Sequence, residues 1–187
     1  MANMHLVTGY AGEAHVTAAD QASMYAALFG VGDYVLDRGN KLSASVITNN
    51  QIRVLGGDLL MQGRHIRLNS YVDLAIENGA QGYNRNDLIV ARYTKNASTG
   101  VEECNLIVIK GTSTTGAASD PEHTVGNLLD GNAATADMLL YRVPLSGLTV
   151  GALEPLFAFS AGIPKISHGT AEPSGGASGD IYFQITT

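Results

Sequence analysis

Short segments in which apolar and polar residues alternate recur roughly every ten residues, and they constrain the fold more than any other feature. A period of two turns one side of each segment toward a core and the other toward solvent, as in a β-strand. Asn49 and Asn50 tolerate the positive φ of a tight hairpin turn between two such segments. The predicted strands are 43–48, 51–55, 71–76, 87–95, 103–110 and 138–143. The sequence therefore predicts a mainly β fold, a β-sandwich or barrel.

One α-helix is predicted over residues 18–29, before the first strand. Thr17 and Asp20 form a variant of the capping box, and an acidic residue in the first turn suits the helix dipole. Gly30 and Gly32 supply the end of the helix. The residues expected on its apolar side are Ala18, Ala22, Tyr25 and Phe29, with Met24 and Leu28 beside them.

The segments 87–95 and 103–110 are apolar on both faces at their centres. This pattern predicts a hairpin in the middle of a sheet that is buried on both sides. Cys104 lies in the second segment, where a cysteine usually acts as a small buried apolar residue. Residues 111–134 then form a long polar loop, which we expect to be functional or to pack on a neighbour.

The composition changes at the end of the chain, so we predict two units. Residues 1–160 form the mainly β domain, and residues 161–187 form a linker with a C-terminal β-hairpin module. An isolated two-stranded hairpin is marginally stable in water, and this module therefore needs a partner surface. The residues predicted to form an oligomer interface are Ile181, Tyr182, Phe183 and Ile185.

The low charge of the chain bears on its partners. Charged residues make up 15% of the sequence, whereas soluble proteins average about a quarter. This difference favours a surface that is partly covered by other subunits. A net charge of −6 with 11 Lys and Arg argues against nucleic-acid binding. No apolar run reaches the length of a membrane span, and MANMHLVTGY lacks the layout of a secretion signal, so we expect synthesis in a cytoplasm without membrane insertion.

The sequence contains no recognisable catalytic, metal or cofactor motif. The five histidines lack metal-site spacing, and the glycine pairs match neither phosphate-binding nor dinucleotide-binding loops. We therefore predict a protein that is not an enzyme and has no cofactor. Tyr83, Asn84 and Arg85 carry the aromatic and amide chemistry of sugar binding, although an ordinary polar turn has the same composition.

Four blocks of the chain resemble a family of tail or baseplate structural proteins of tailed bacteriophages and prophages of Gram-positive gut bacteria. They are GDLLMQGRHIRLN (57–69), GYNRNDLIVARYTKN (82–96), VEECNLIVIKG (101–111) and MLLYRVPLSGLTV (138–150). The order and spacing of the blocks also match, and the likeness covers about residues 1–160. The terminal GTAEPSGGASGDIYFQI is similar to a short module at the ends of phage tail and fibre proteins.

The resemblance implies a non-enzymatic virion component that assembles as a homotrimer in the host bacterial cytoplasm and attaches to other tail or baseplate proteins. A chain of 187 residues has little room for a distal adhesion domain, so a supporting role is favoured over a complete receptor-binding fibre. One alternative is a carbohydrate-binding adhesion module that contacts host cell-wall glycan through residues 79–87 and 111–134. A less favoured alternative is an enzyme acting on cell-wall polymers.

Overall fold

A computed structural model describes residues 16–131, 133–160, 166–171 and 181–185, and its fold is mainly β with one N-terminal helix, as the sequence predicted. The helix α1 spans Ala18–Phe29. The first eight strands are β1 (Asp33–Gly39), β2 (Ala44–Thr48), β3 (Gln51–Val54), β4 (Gly57–Met61), β5 (Arg64–Leu68), β6 (Val72–Ala75), β7 (Asn84–Lys95) and β8 (Glu102–Ile109). The remaining strands are β9 (Thr135–Ser146), β10 (Thr149–Val150), β11 (Glu154–Pro155), β12 (Ala158–Ser160), β13 (Ile166–Gly169) and β14 (Ile181–Gln184).

Three of the four sheets surround one apolar core. Their strand orders are β12-β1-β4-β5, β2-β3-β6 and β10-β9-β7-β8, with β11 also paired to β9. Each sheet supplies buried side chains to the core, among them Val35 from the first, Ile52 from the second and Ile89 from the third. The predicted sandwich or barrel layout follows, because the three sheets turn buried side chains toward this shared core.

The helix begins and ends at the predicted residues. The Asp20 backbone N–H donates to the Thr17 hydroxyl at 3.2 Å, and the Thr17 backbone N–H donates to the Asp20 carboxylate at 2.9 Å. Ala22 and Ala26 are its buried residues, and they lie against the turn between β4 and β5. Gly63 is required in that turn, because a Cβ there would lie 2.0 Å from the Ala22 carbonyl oxygen. The fully buried residues of the helix are thus two alanines, and none of its larger side chains is fully buried.

The predicted hairpin of 87–95 and 103–110 is confirmed as β7 and β8, but only β7 is central. Leu88, Ile89 and Val90 are almost fully buried, between β8 on one side and β9 on the other. The strand β8 forms the edge of this sheet, and Ile107 and Ile109 are half-buried. The prediction that both strands lie in the middle of a sheet was therefore wrong for β8.

Strand β9 runs past Pro144, which the sequence reading treated as its end. The Pro144 carbonyl accepts a hydrogen bond from the Gly151 N–H at 2.7 Å, on the side of β9 away from β7. The missing proline N–H faces the same side, because both backbone groups of a strand residue point one way. Pro144 lies between the stretches of β9 that pair with β10 and with β11, so no ladder hydrogen bond is lost.

The C-terminal strands pair, but they do not form a hairpin. Strands β13 and β14 are parallel, with Ser167 opposite Tyr182 and His168 opposite Phe183. Parallel strands require a crossover connection rather than a tight turn. The prediction of a C-terminal β-hairpin was therefore wrong, because the two strands of a hairpin are antiparallel.

Candidate functional site

The two loops predicted to contact glycan lie side by side in the structure. Asn84 and Thr114 exchange two backbone hydrogen bonds of 2.7 and 2.9 Å, and the Asn84 side-chain amide donates to the Gly116 carbonyl at 2.9 Å. Two residues further along β7, the Asn86 amide donates to the Asp120 carboxylate at 3.0 Å. The start of β7 and the first part of the long loop thus form one polar surface.

A cleft of about 300 Å³ opens on this surface. Most of its wall is apolar, and the amides of Asn84 and Asn86 and the hydroxyls of Ser146 and Thr149 add a few polar groups, a lining that suits an uncharged ligand. The lining residues are Asn84, Asn86, Ala118, Pro144, Leu145, Ser146, Thr149 and Gly151. Tyr83 immediately precedes the cleft in the chain and keeps 44% of its surface exposed.

Arg85 does not lie on that surface. Its side chain is buried, and its guanidinium donates to the Asp87 carboxylate through Nε at 2.7 Å and Nη2 at 2.9 Å. The same guanidinium donates to the backbone carbonyls of Glu77 and Asn78, and Asp87 also accepts from the Gly111 N–H at 2.9 Å. The alternation of β7 turns residue 85 toward the interior. Arg85 therefore stabilises the two loops from the inside of the domain, and it is not exposed for the predicted contact with glycan.

An ion network borders the same surface. Arg142 on β9 binds both carboxylate oxygens of Asp120 at 2.6 Å and also pairs with Glu154 on β11. The Arg142 hydrogen bond lowers the pKa of Asp120, and the Asn86 amide adds to this effect although partial burial opposes it. Asp120 is therefore held ionised as a fixed part of the loop, and it is not poised to donate a proton.

The rest of the long loop packs on its own domain. The Gln62 side chain donates to the Gly126 carbonyl at 2.8 Å and accepts from the Leu128 N–H at 2.7 Å, while Leu128 is buried. Asp137 accepts from the Thr124 N–H at 2.8 Å. Burial raises the pKa of Asp137, but the hydrogen bonds from Arg92 and the Thr124 N–H, together with the nearby positive charge of Arg92, outweigh burial and leave that pKa lowered. These contacts were not predicted, because they join residues far apart in the sequence.

A second polar cluster lies on the other edge of the molecule, around the buried Asp58. Its carboxylate contacts the His65 ring at 2.6 Å and the Arg67 guanidinium at 2.7 Å, and Arg38 lies at 3.7 Å. Burial raises the pKa of Asp58, but the hydrogen bonds from Arg67 and His65 outweigh it and lower the pKa. The sequence indicated only that His65 and Arg67 share a strand face. Asp58 is the buried charge of this cluster, and Arg67 and His65 satisfy it from more exposed positions, as in a structural ion network.

The predicted interface residues divide into two sets on β14. Ile181, Phe183 and the following Ile185 are 46%, 60% and 50% exposed. Tyr182 points the other way: it is half-buried, and its hydroxyl donates to the Ala171 carbonyl at 2.8 Å. An alternating strand thus presents three large apolar side chains to solvent, and Tyr182 supports them from the opposite face.

Cys104 is half-buried beside the core, and burial raises the pKa of its thiol to about 11. Such a thiol stays protonated near neutral pH and is a poor nucleophile. Within the described residues, no group of three or more His, Cys, Asp or Glu side chains is placed to hold a metal ion. No helix in the described part of the chain is long and apolar enough to cross a membrane.

No protein-family model matches the chain, and a search of curated proteins finds no significant match.

Proposed function

We propose that this chain is a non-enzymatic structural component of a bacteriophage tail or baseplate, which self-assembles and supports the host-recognition apparatus of the virion. The sequence resemblance supplies the class of particle and the homotrimeric state. The exposed apolar face of β14 carries the proposal on the physical side. It consists of three large apolar side chains on a two-stranded sheet, which is too small to form its own core.

The energetics favour a second chain as the cover for this face. Burying three such side chains contributes about 1.5–3 kcal/mol each, and ordering on association cancels part of the gain. The chain also has few charged residues to keep copies apart, at 15% of the sequence. Association through β14 therefore lowers the free energy of the assembled state.

The mass of the full-length chain in solution tests this proposal. We expect an assembly of about three times 19.5 kDa at micromolar concentration. Phe183→Asp should lower this mass, because it places a charge in the interface. Val125→Asp is the matched control, since Val125 is 86% exposed in the long loop and the same substitution there should leave the mass unchanged. A wild-type mass of 19.5 kDa would contradict self-assembly.

A second candidate function, binding of host cell-wall carbohydrate, is favoured by one observation: the start of β7 and the long loop pair through Asn84 and Thr114 beside a cleft in which a few amide and hydroxyl groups lie among apolar ones. Glycan-array binding by the full chain tests it. Tyr83→Ala should weaken binding, because this exposed tyrosine directly precedes the cleft in the chain, whereas Tyr71→Ala, which removes an exposed tyrosine elsewhere, should not. Equal loss in both variants, or no binding by the wild type, would contradict this function.

A further inference from the structure

Basic side chains gather on the outer face of the sheet β12-β1-β4-β5. Arg38 lies on β1, Asp58 on β4, and His65 and Arg67 on β5, which are neighbouring strands of this sheet. Leu59 packs into the core, so the alternation of β4 places Asp58 on the opposite face. We call residues 38, 58, 65 and 67 the basic cluster. It is positively charged, because two guanidinium groups surround one carboxylate.

The terminal nitrogens of Arg38 and Arg67 have no acceptor among the residues that the structure describes. Arg67 donates to Asp58 through Nε alone, and the Arg38 Nε lies 3.7 Å from the other Asp58 oxygen. Each remaining arginine of the chain places at least one terminal nitrogen on an acceptor of its own chain; these are Arg53, Arg64, Arg85, Arg92 and Arg142. The Arg38 and Arg67 side chains are 70% and 45% exposed, so their Nη1 and Nη2 donors are accessible to a ligand.

Asp58 fixes the positions of the Arg67 and His65 side chains. Its own side chain is 4% exposed, and the hydrogen bonds from Arg67 and His65 outweigh burial and lower its pKa. An ionised carboxylate only accepts hydrogen bonds, so the Nε2 atom of His65 carries the proton in their contact of 2.6 Å. An arginine held in this way loses less conformational freedom when a ligand binds.

The charge of the basic cluster favours an anionic ligand. The chain as a whole carries a net charge of −6, so this surface is a local exception. Asp37, which is next to Arg38 in the sequence, pairs with Lys41 at 2.5 Å and does not neutralise Arg38. An anion forms charge-assisted hydrogen bonds with the accessible guanidinium donors, whereas a cation is repelled by them.

The arrangement of the donors favours a tetrahedral anion over a planar one. A single guanidinium satisfies both oxygens of a carboxylate. The basic cluster instead brings two guanidinium groups from β1 and β5, which lie on opposite sides of β4. A phosphate or sulfate group has oxygens that point in several directions, so it can accept from both arginines.

The surroundings of the basic cluster leave space for more than a free ion. His65 also lines a cleft of about 310 Å³ between α1 and strands β5 and β8, together with Gln21 and Tyr25. We infer that the basic cluster is a binding site for a tetrahedral oxyanion, a phosphate or sulfate group, carried by a larger ligand. The site lies within one chain, away from β14, and is independent of self-assembly.

Titration of the full chain with glycerol 3-phosphate and with methyl sulfate, at constant ionic strength, tests the inference. The NMR signals of the arginine Nε–H groups report binding. We expect saturable shifts for Arg38 and Arg67, with half-saturation at about 1 mM or below for at least one ester. Arg53 should not respond, because Asp73 already accepts from its Nε and Nη2. The ester that binds more tightly identifies the group.

Inorganic phosphate and acetate complete the titration. Acetate should bind about tenfold more weakly than the better ester, because it is planar. Acetate binding of equal strength would overturn the assignment of a tetrahedral anion. Binding of inorganic phosphate but of neither ester would overturn the larger ligand, and absence of saturable shifts with all four probes would overturn the site.

Variants of the arginines separate a specific site from general attraction of anions. Arg38→Gln should keep the fold, because this side chain is exposed and lies 3.7 Å from Asp58, and it should weaken binding of the better ester by about fivefold or more. Arg67→Lys keeps a charge beside Asp58 but loses the planar donor edge, so it should also weaken binding. Arg53→Gln, on another sheet, is the matched control and should change the affinity by less than about twofold. Equal effects of Arg38→Gln and Arg53→Gln, or unchanged binding by Arg67→Lys, would overturn the site.

Discussion

The sheet built on β7 and the pair of β13 and β14 show the same alternation of apolar residues, but they bury it differently. Ile89 on β7 is fully buried by side chains of its own chain. Phe183 on β14 occupies an equivalent position in its strand, yet 60% of its surface is exposed. Alternation therefore predicts that a strand has an apolar face. It does not predict which chain covers that face.

The difference follows from the number of strands available. Strand β7 pairs along its length with β8 and β9, and two further sheets close over the core. Strand β14 pairs only with the four residues of β13 among the described residues. A two-stranded sheet buries too little surface to be stable alone. The first region is buried by its own chain, whereas the second leaves three large apolar side chains exposed.

Arg85→Met should produce the largest loss of stability, because it removes one member of a buried ion pair. The Asp87 carboxylate would remain buried without its charge partner, at a cost of about 3–5 kcal/mol in the free energy of unfolding. Urea denaturation of the monomeric form measures the change. Tyr83→Ala, two residues away but exposed, should cost less than about 0.5 kcal/mol.

A double variant sharpens this result. Arg85→Met with Asp87→Leu replaces both charges by apolar groups, and it should recover a large part of the loss. The Gly111 N–H loses its acceptor in this variant, so recovery should be incomplete. If Arg85→Met instead weakened only glycan binding and left the unfolding free energy unchanged, the placement of Arg85 beneath the loops would be wrong.

Ile89→Ala and Ile107→Ala test the division of the central hairpin into a core strand and an edge strand. Ile89 is fully buried, so its truncation should cost about 2–5 kcal/mol through lost transfer energy and a cavity. Ile107 is half-buried on the edge strand, so the same change should cost about 1 kcal/mol. Equal losses from the two variants in a denaturation series would mean that β8 is covered as fully as β7.

The sequence correctly predicted the features that depend on residues close together in the chain. The helix 18–29 and its cap, the β2–β3 hairpin at Asn49 and Asn50, and the pairing of β7 with β8 are all confirmed. Each depends on residues close in the chain, where capping chemistry, turn chemistry and period act directly. Local signals also predicted the alternation of β14, although not its parallel pairing with β13.

The sequence failed where distant residues decide the outcome. The edge position of β8 depends on which strands of the whole chain pair with it, and no local feature contains that information. Arg85 was misplaced for the same reason: its position in a polar run suggested a surface turn, but the start of β7 extends back through that run. In the candidate cleft, Asn84 and Asn86 lie in the segment 79–87 that composition indicated, whereas Ser146 and Thr149 were brought in by the pairing of β9 with β7 and with β10.

Thr17→Ala removes the N-cap side chain of α1 and has the smallest expected effect of the variants discussed. Loss of the hydroxyl removes the acceptor for the Asp20 N–H, and this should cost about 1 kcal/mol of helix stability. Amide hydrogen exchange in the first turn of α1 measures the loss, and Thr17→Ser, which keeps the acceptor, should restore protection. Because only Ala22 and Ala26 bury the helix against its domain, the first turn should fray in dilute, dissociated protein. Equal protection of the first turn in Thr17→Ala and wild type would contradict the contribution of this cap to helix stability.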